Sequence, residues 1–337
     1  AFAEASYDES QYQKKLAEAI GVHYNVVHMK NHDIGRVFSE VIWHAERPLL
    51  RAGPAPLFAL SGLVRSKDFK VVLTGEGADE LFGGYERYRV MALYRHLKKL
   101  PPTLRRGCCD ALLKALPVHR EQRTRLSAVR RLLGIFRETD DAVAYGRFQE
   151  VFGAADRESL LSLPPGETPP PAYTDEWART LRDGSAADLV ESFMDLVTIR
   201  YLPEDILFKV DIASMMVSLE VRCPLLDHEL IEIVASLPRE YKVTLRARKR
   251  LLAAASSGLV APEIARRPKR GFGVPLSAWL RQGLRQEVTE MAEHVASWDR
   301  TGLLNRAAVK RLAGEHLAGV CDHGFRLWSL LCLRLWY

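Results

Sequence analysis

Residues 71–85 read VVLTGEGADELFGGY. Val71, Val72 and Leu73 form an unbroken apolar run that stops at a glycine-rich stretch. Such a run predicts a strand buried on both faces, the kind found in parallel sheets. Ligands of open α/β sheets sit beyond the carboxyl ends of their strands. Gly75 and Gly77 at that end let the backbone approach a ligand or take positive φ. Glu76, Asp79 and Glu80 follow within five residues. Hard carboxylate oxygens at such a mouth suit Mg²⁺ and the phosphates it holds. The stretch matches neither GxGxxG nor GxxxxGKS/T, which excludes the dinucleotide and Walker readings. A turn whose carboxylates merely favour the dipole of the next helix has the same composition, and both readings stand at this point.

Working outward, Asp8–Ile20 has helical spacing at Tyr12, Leu16, Ala19 and Ile20, with Gly21 where a C′ residue belongs. Val22–Met29 predicts a strand. Ile34–His44 predicts an amphipathic helix with Ile34, Val37, Phe38, Val41 and Ile42 on one face, and Leu57–Arg65 another. Beyond Tyr88 helical patterns dominate to residue 162, broken at Pro101–Pro102 and Pro117, and PPGETPPP over 164–171 is a connector. A long helical region from Ala186 to Glu220 is expected to break near Pro203. The last third is helical and ends in the apolar, tryptophan-bearing segment Phe325–Tyr337. Strands alternating with helices, then helices alone, predict an α/β sheet with a large helical extension.

A chain of 337 residues holds one large domain or two ordinary ones. With 47% hydrophobic and 27% charged residues it has the balance of a globular protein with a sizeable core, not of a disordered tail. No apolar run reaches the roughly 18 residues of a membrane span, so no membrane partner is expected. Ala1–Ser10 is acidic and lacks the pattern of a signal peptide, so the expectation is a cytoplasmic protein. The five cysteines are odd in number and show no CxxC spacing, which argues against a disulfide framework or a zinc site. The net charge of +6 concentrates in Arg105–Arg106 and in REQRTRLSAVRR over 120–131. That stretch has no interleaved aromatics and falls on a leucine-bearing helical pattern, so it reads as a solvated helix face and no nucleic-acid partner is expected.

Two further segments bear on chemistry. Residues 201–227 read YLPEDILFKVDIASMMVSLEVRCPLLD. Asp205 and Lys209 lie four apart on one helix face, the spacing of an ordinary ion pair, with Asp211 further round. Glu220, Arg222, Pro224 and Asp227 fit a structural clamp at a helix start equally well. Residues 266–275, RRPKRGFGVP, form a basic loop that cannot be a regular helix. A lysine there could meet a phosphate as a point charge, and a solvated basic loop is the plainer reading.

Taken together, the three segments resemble the synthetase domain of class II glutamine-dependent asparagine synthetases. Residues 71–85 resemble the family's SGEGxDExxGGY signature, with Thr74 in the serine position. Residues 201–227 resemble DxLxKVDxxSMxxSLExRxPxLD, and residues 266–275 resemble RxPKxGFxxP. The order and spacing fit, as do RAGPAPLFAL over 51–60 and the LxLRLW ending, so the resemblance spans essentially the whole chain. Two departures stand out. Ile212 occupies a position where many members have arginine. The family's first strand and its pyrophosphate-wrapping SGGxDSS loop have no counterpart, and Ala1–Ser10 resembles the stretch after the next strand. The expectation is an N-terminally truncated C-terminal synthetase domain without its glutaminase domain, inactive or impaired alone.

The resemblance implies an adenine-nucleotide α-hydrolase-like parallel sheet, incomplete at its N-terminal side, within one synthetase domain over 1–337. Residues 1–92 would form its nucleotide-binding α/β part and 93–337 a mainly helical part carrying the active-site segments 201–227 and 266–275. It implies ATP and Mg²⁺ as cofactors, aspartate and ammonia from glutamine as substrates, and a glutaminase domain normally in the same chain, and it allows a homodimer. In that chemistry ATP adenylates the aspartate β-carboxylate and ammonia displaces AMP. Carried onto this sequence, Thr74, Gly75 and Gly77 would meet the nucleotide. Asp79, with Glu80, would hold Mg²⁺. Glu76 would take a proton from the attacking ammonia, and Lys269 would neutralise charge on the α-phosphate. Asp211 would be a polar partner at the reacting group, and Arg51 and Asp205 would contact the acceptor. Related enzymes amidate other carboxylates in polysaccharides or peptides, including lasso-peptide cyclases. The β-lactam synthetases carry tyrosine at the position of Glu76, which argues against that branch. A non-catalytic nucleotide-binding remnant is the alternative of a different kind.

Overall fold

The computed structural model describes residues 1–337 except 3, 5, 6, 118–124, 165, 170–176, 178, 182–187, 261–270 and 272. Strand β1 (Val71–Leu73) pairs in parallel with β2 (Glu220–Arg222), in register Val71 with Glu220, Val72 with Val221 and Leu73 with Arg222. They form a two-stranded sheet among otherwise helical described residues. β2 falls in a segment whose sequence reads as the tail of a long helix. The helix Phe208–Met215 ends in a reversal: Ser218 takes φ 54°, and the Leu219 N–H returns to the Ser214 carbonyl at 3.1 Å. The Glu220 N–H then reaches the Lys70 carbonyl at 2.9 Å, which sets the register.

Three expectations are corrected. β1 is not buried on both faces: Leu73 is 67% exposed and Val71 39%. Its apolar run has β2 on one side, and no second neighbour pairs with it among the described residues. Val22–Met29 does not form a strand. It runs beside the chain start with one parallel bridge, Phe2 to Met29, and two flanking bonds, Ala1 amino group to Val27 carbonyl and Met29 N–H to Ala1 carbonyl. Nor does Pro203 break the long helix. Leu189–Leu196, a π-helix over Val197–Leu207 and Phe208–Met215 follow one another without a gap, with Pro203 inside the π stretch. The wider π turn bonds i to i+5, which accommodates a residue that has no N–H to give.

The predicted helices near the start form as Ser10–Ile20, Ile34–Ala45 and Pro54–Arg65. Gly21 ends the first at φ 70°, the left-handed C′ position. Ile34, Phe38, Val41 and Ile42 are buried on one stripe of the second. That stripe enters a core shared with the C-terminal helices Leu276–Arg281, Arg285–Glu293, Arg306–Leu317 and Gly324–Trp336, through Trp279, Val288, Leu312 and Trp328. Phe38 and Trp328 meet at 5.0 Å between ring centres. A second core gathers Tyr88, Met91, Tyr94, Tyr145 and Phe193 from the helical middle of the chain. A small third cluster, Leu81, Phe82 and Val234, lies under the segment after β1. No described helix is long and apolar enough to cross a membrane.

Candidate active site at the strand ends

The two parallel strands end side by side. The Thr74 N–H donates to the Arg222 carbonyl at 2.9 Å, and Thr74 Oγ1 lies 3.4 Å from Cys223 Sγ. The chain then turns through Gly75, Glu76 and Gly77 into the short helix Ala78–Leu81. Gly77 has φ 89°, and a Cβ there would sit 2.3 Å from Leu226 Cδ2 in the one-turn 3₁₀ helix Pro224–Leu226 that follows β2. Glycine is therefore required twice at this position, for its φ and for the close approach. Gly75 is exposed and its missing side chain meets nothing within 4 Å, so its backbone is open to a ligand.

Glu76 is half-buried in the turn. Asp79 and Glu80 sit in the first turn of Ala78–Leu81 but face different neighbours. Asp79 Oδ1 lies 2.7 Å from Lys249 Nζ. Lys249 takes φ 48° ahead of the helix Arg250–Ala255, which aims its side chain across Gly84 at Asp79. Glu80 is buried and accepts a hydrogen bond from the Tyr85 hydroxyl. Burial, with the Glu80 carboxylate beside it, holds the Tyr85 phenol far above its ordinary value. Among the described residues no group of three His, Cys, Asp or Glu is placed to hold a metal by itself. This donor set fits Mg²⁺ that arrives with phosphates, because such an ion takes one or two protein carboxylates and fills its shell with phosphate oxygens and water.

The expected acceptor residues come together. Arg51 Nε is 3.8 Å from Asp205 Oδ2, and Arg51 Nη2 donates to Gln149 Oε1. Asp205, near the end of the π-helix, pairs with Arg51 and not with Lys209, which stands in the α-helix that follows. Tyr201, on the same π-helix, stands next to Asp205, and burial first of all pushes its phenol up to about 12. Asp211 is exposed in the first turn of Phe208–Met215. Asp227 caps the helix His228–Ser236 by accepting from the Glu229 and Leu230 N–H groups, which is the structural clamp. Glu220 and Arg222 belong to β2 and pair with each other at 2.6 Å. Lys269 and its loop up to residue 270 lie outside the described residues.

Sequence reasoning missed Lys249, Cys223 and Arg87. Lys249 stands in the basic run Arg246–Arg250, and nothing in that run points toward Asp79. Cys223 lay inside a quoted motif, and only the pairing of β2 with β1 puts its sulfur beside Thr74. Arg87, two residues past the first motif, is surrounded by Tyr85, Tyr145 and Tyr201, with its carbon 4.1, 5.7 and 4.6 Å from their ring centres.

The whole chain, residues 1–337, matches the asparagine synthase family. A putative glutamine-hydrolyzing asparagine synthetase of Mycobacterium tuberculosis H37Rv is 34% identical over 337 residues, covering all of this chain and 49% of that protein. Glutamine-hydrolyzing asparagine synthetase 1 of Bacillus subtilis 168 is 26% identical over all of this chain and 51% of its own length. Amidase chry2 of Gibberella zeae is 24% identical over 84% of this chain and 44% of its own. The chain thus spans about half the length of the curated relatives it matches. On the match over its full length, the chain belongs to the asparagine synthase family.

Proposed function

We propose that this chain carries the ATP-dependent amide-forming half of a glutamine-dependent asparagine synthetase. The observation that supports this most is the pair of parallel strand ends, Thr74 and Cys223, joined by the Thr74 N–H to Arg222 carbonyl bond, with the open Gly75 backbone and the Glu76–Glu80 carboxylates in the turn beyond them. That is the place where sheets of this kind take ligands.

In this reading the backbone at Thr74, Gly75 and Gly77 receives the nucleotide. Asp79, with Glu80 behind it, is the carboxylate that would hold Mg²⁺, and the ion would supply positive charge to the phosphates. Lys269 meets the α-phosphate while the aspartate β-carboxylate attacks phosphorus and pyrophosphate leaves. Ammonia released from glutamine then attacks the acyl carbon, the bond to AMP breaks, and Glu76 accepts the proton shed by the new amide nitrogen. Asp211 orients that exchange, and Arg51 and Asp205 hold the acceptor. Preorganised charge of this type is commonly the largest part of catalysis. The adenine-nucleotide α-hydrolase-like fold and a cytoplasmic location belong to the same proposal.

The test is exchange of labelled pyrophosphate into ATP by the whole protein, with and without aspartate. Aspartate-dependent exchange is the expected result. Exchange that requires a different carboxylic acid would keep the adenylation chemistry and overturn the acceptor. No exchange with any acid would overturn the reading.

A further inference from the structure

A guanidinium inside a protein normally finds an anion, because a buried charge without a partner is costly. Arg87 does not follow this rule. Its Nε is buried and makes no hydrogen bond, and the groups that act on its charge are the phenols of Tyr85, Tyr88, Tyr145 and Tyr201, with no carboxylate among them. Three phenol rings surround it instead. Ring faces offset part of the lost hydration, but they leave the planar N–H fork unused. Glu80 of the first motif is turned to the Tyr85 hydroxyl. Around the same guanidinium the hydroxyls of Tyr88 and Tyr145 are also buried without a hydrogen-bond partner. Native interiors leave few such groups, and a cluster of them calls for a ligand, ion or water that completes it.

The cluster adjoins the acceptor side of the candidate site. Tyr201 carries Arg87 at 4.6 Å and Arg51 at 6.0 Å from its ring centre, and Asp205, the ion-pair partner of Arg51, stands on the same π-helix as Tyr201. π segments of this kind recur at functional sites. An oxyanion with two parallel oxygens would satisfy the fork, since arginine pairs with carboxylates and phosphates in a bidentate manner. We propose that Arg87 binds the carboxylate of the amino-acid acceptor that is not adenylated, with the Tyr88 and Tyr145 hydroxyls completing its shell. This rests on the amide-forming reading above and deepens it: the acceptor must carry a second carboxylate besides the one that reacts.

The test compares wild-type whole protein with Arg87→Gln and Arg87→Lys in the pyrophosphate exchange reaction, varying aspartate and ATP separately. The acceptor KM should rise at least about tenfold in Arg87→Gln, the scale of losing a charge-assisted hydrogen-bonded pair. The KM for ATP should stay unchanged, and Arg87→Lys should recover part of the loss. A rise in the ATP KM alone would assign the oxyanion to a nucleotide phosphate and overturn the carboxylate. A lower melting temperature with both constants unchanged would mean that the cage is structural, and would also overturn it. If Arg87→Gln does not fold, Arg87→Lys carries the comparison. If wild type shows no acceptor-dependent exchange, the amide-forming reading fails on that result. Calorimetric titration with the dicarboxylate succinate then decides this inference separately: binding by wild type that is weakened in Arg87→Lys supports it, and equal binding by the two or none by wild type overturns it.

Discussion

Asp79 and Glu80 are neighbours in sequence, yet their carboxylates serve different elements, one meeting Lys249 and the other Tyr85. In the proposed reading Asp79 is the one that meets an incoming ion. Asp79→Asn in the whole protein should weaken Mg·ATP binding, with activity partly restored by excess Mg²⁺, and titration of activity against Mg²⁺ checks this. An unchanged magnesium dependence would favour a carboxylate that only complements the helix dipole. Glu76→Gln should instead keep Mg·ATP binding and slow amide formation. Lys269→Ala should cut turnover by about a hundredfold, the scale of removing one preorganised donor, which steady-state rates would show directly. The acidic cluster was legible in the sequence because its three carboxylates follow one strand within one turn. Lys249 was not, since only a left-handed backbone at φ 48° aims it at Asp79. Arg87 was not legible either, because its environment is built from three separate parts of the chain.

At the level of elements, the two glycines of the turn separate packing from binding. Gly77→Ala should destabilise the fold by at least about 1–2 kcal/mol from its left-handed φ alone, with the contact to Leu226 adding to that. Gly75→Ala meets no atom and needs no special φ, so stability should shift by less than about 0.5 kcal/mol. Denaturant midpoints for the two variants measure the difference, and equal midpoints would remove the strain argument. The turn residues announced themselves in sequence, as did the helices with apolar stripes such as Ile34–Ala45. The strand pairing did not. Val22–Met29 has the composition of a strand but makes a single bridge, whereas Glu220–Arg222 continues a helical pattern and becomes β2. Partner availability, not local propensity, decided both. The π-helix was illegible for a similar reason: Pro203 announces a break, and tertiary packing turned the break into a change of helical pitch.

At the scale of the whole molecule, segments from both ends share one core, and the apolar ending Phe325–Tyr337 contributes Leu327, Trp328 and Leu331 to it. Sequence showed that this ending is apolar but not that residues 34–45 cover it. Near that core His316 is fully buried, and burial first, with Arg281 beside it, lowers its imidazole to about 4 despite Asp322 at 3.6 Å. The unfolded chain takes up a proton near the ordinary value of about 6.5, whereas the fold resists doing so until about 4. Stability should therefore be full above pH 6.5 and fall progressively as the pH drops toward 4, by on the order of 3 kcal/mol. Denaturant midpoints at about pH 7.5 and about pH 4.5 measure this, and His316→Asn should flatten the difference. The central claim, that nucleotide binds at the paired strand ends, has its own direct probe in Cys223, a half-exposed thiol 3.4 Å from Thr74 Oγ1. Cys108 is exposed and far from that turn in sequence, so it serves as the internal control. The decisive measurement is iodoacetamide labelling of the whole protein, read at each cysteine by mass spectrometry, with and without saturating Mg·ATP. Mg·ATP should protect Cys223 and leave Cys108 as reactive as before; labelling of Cys223 at the same rate with nucleotide bound would contradict the account.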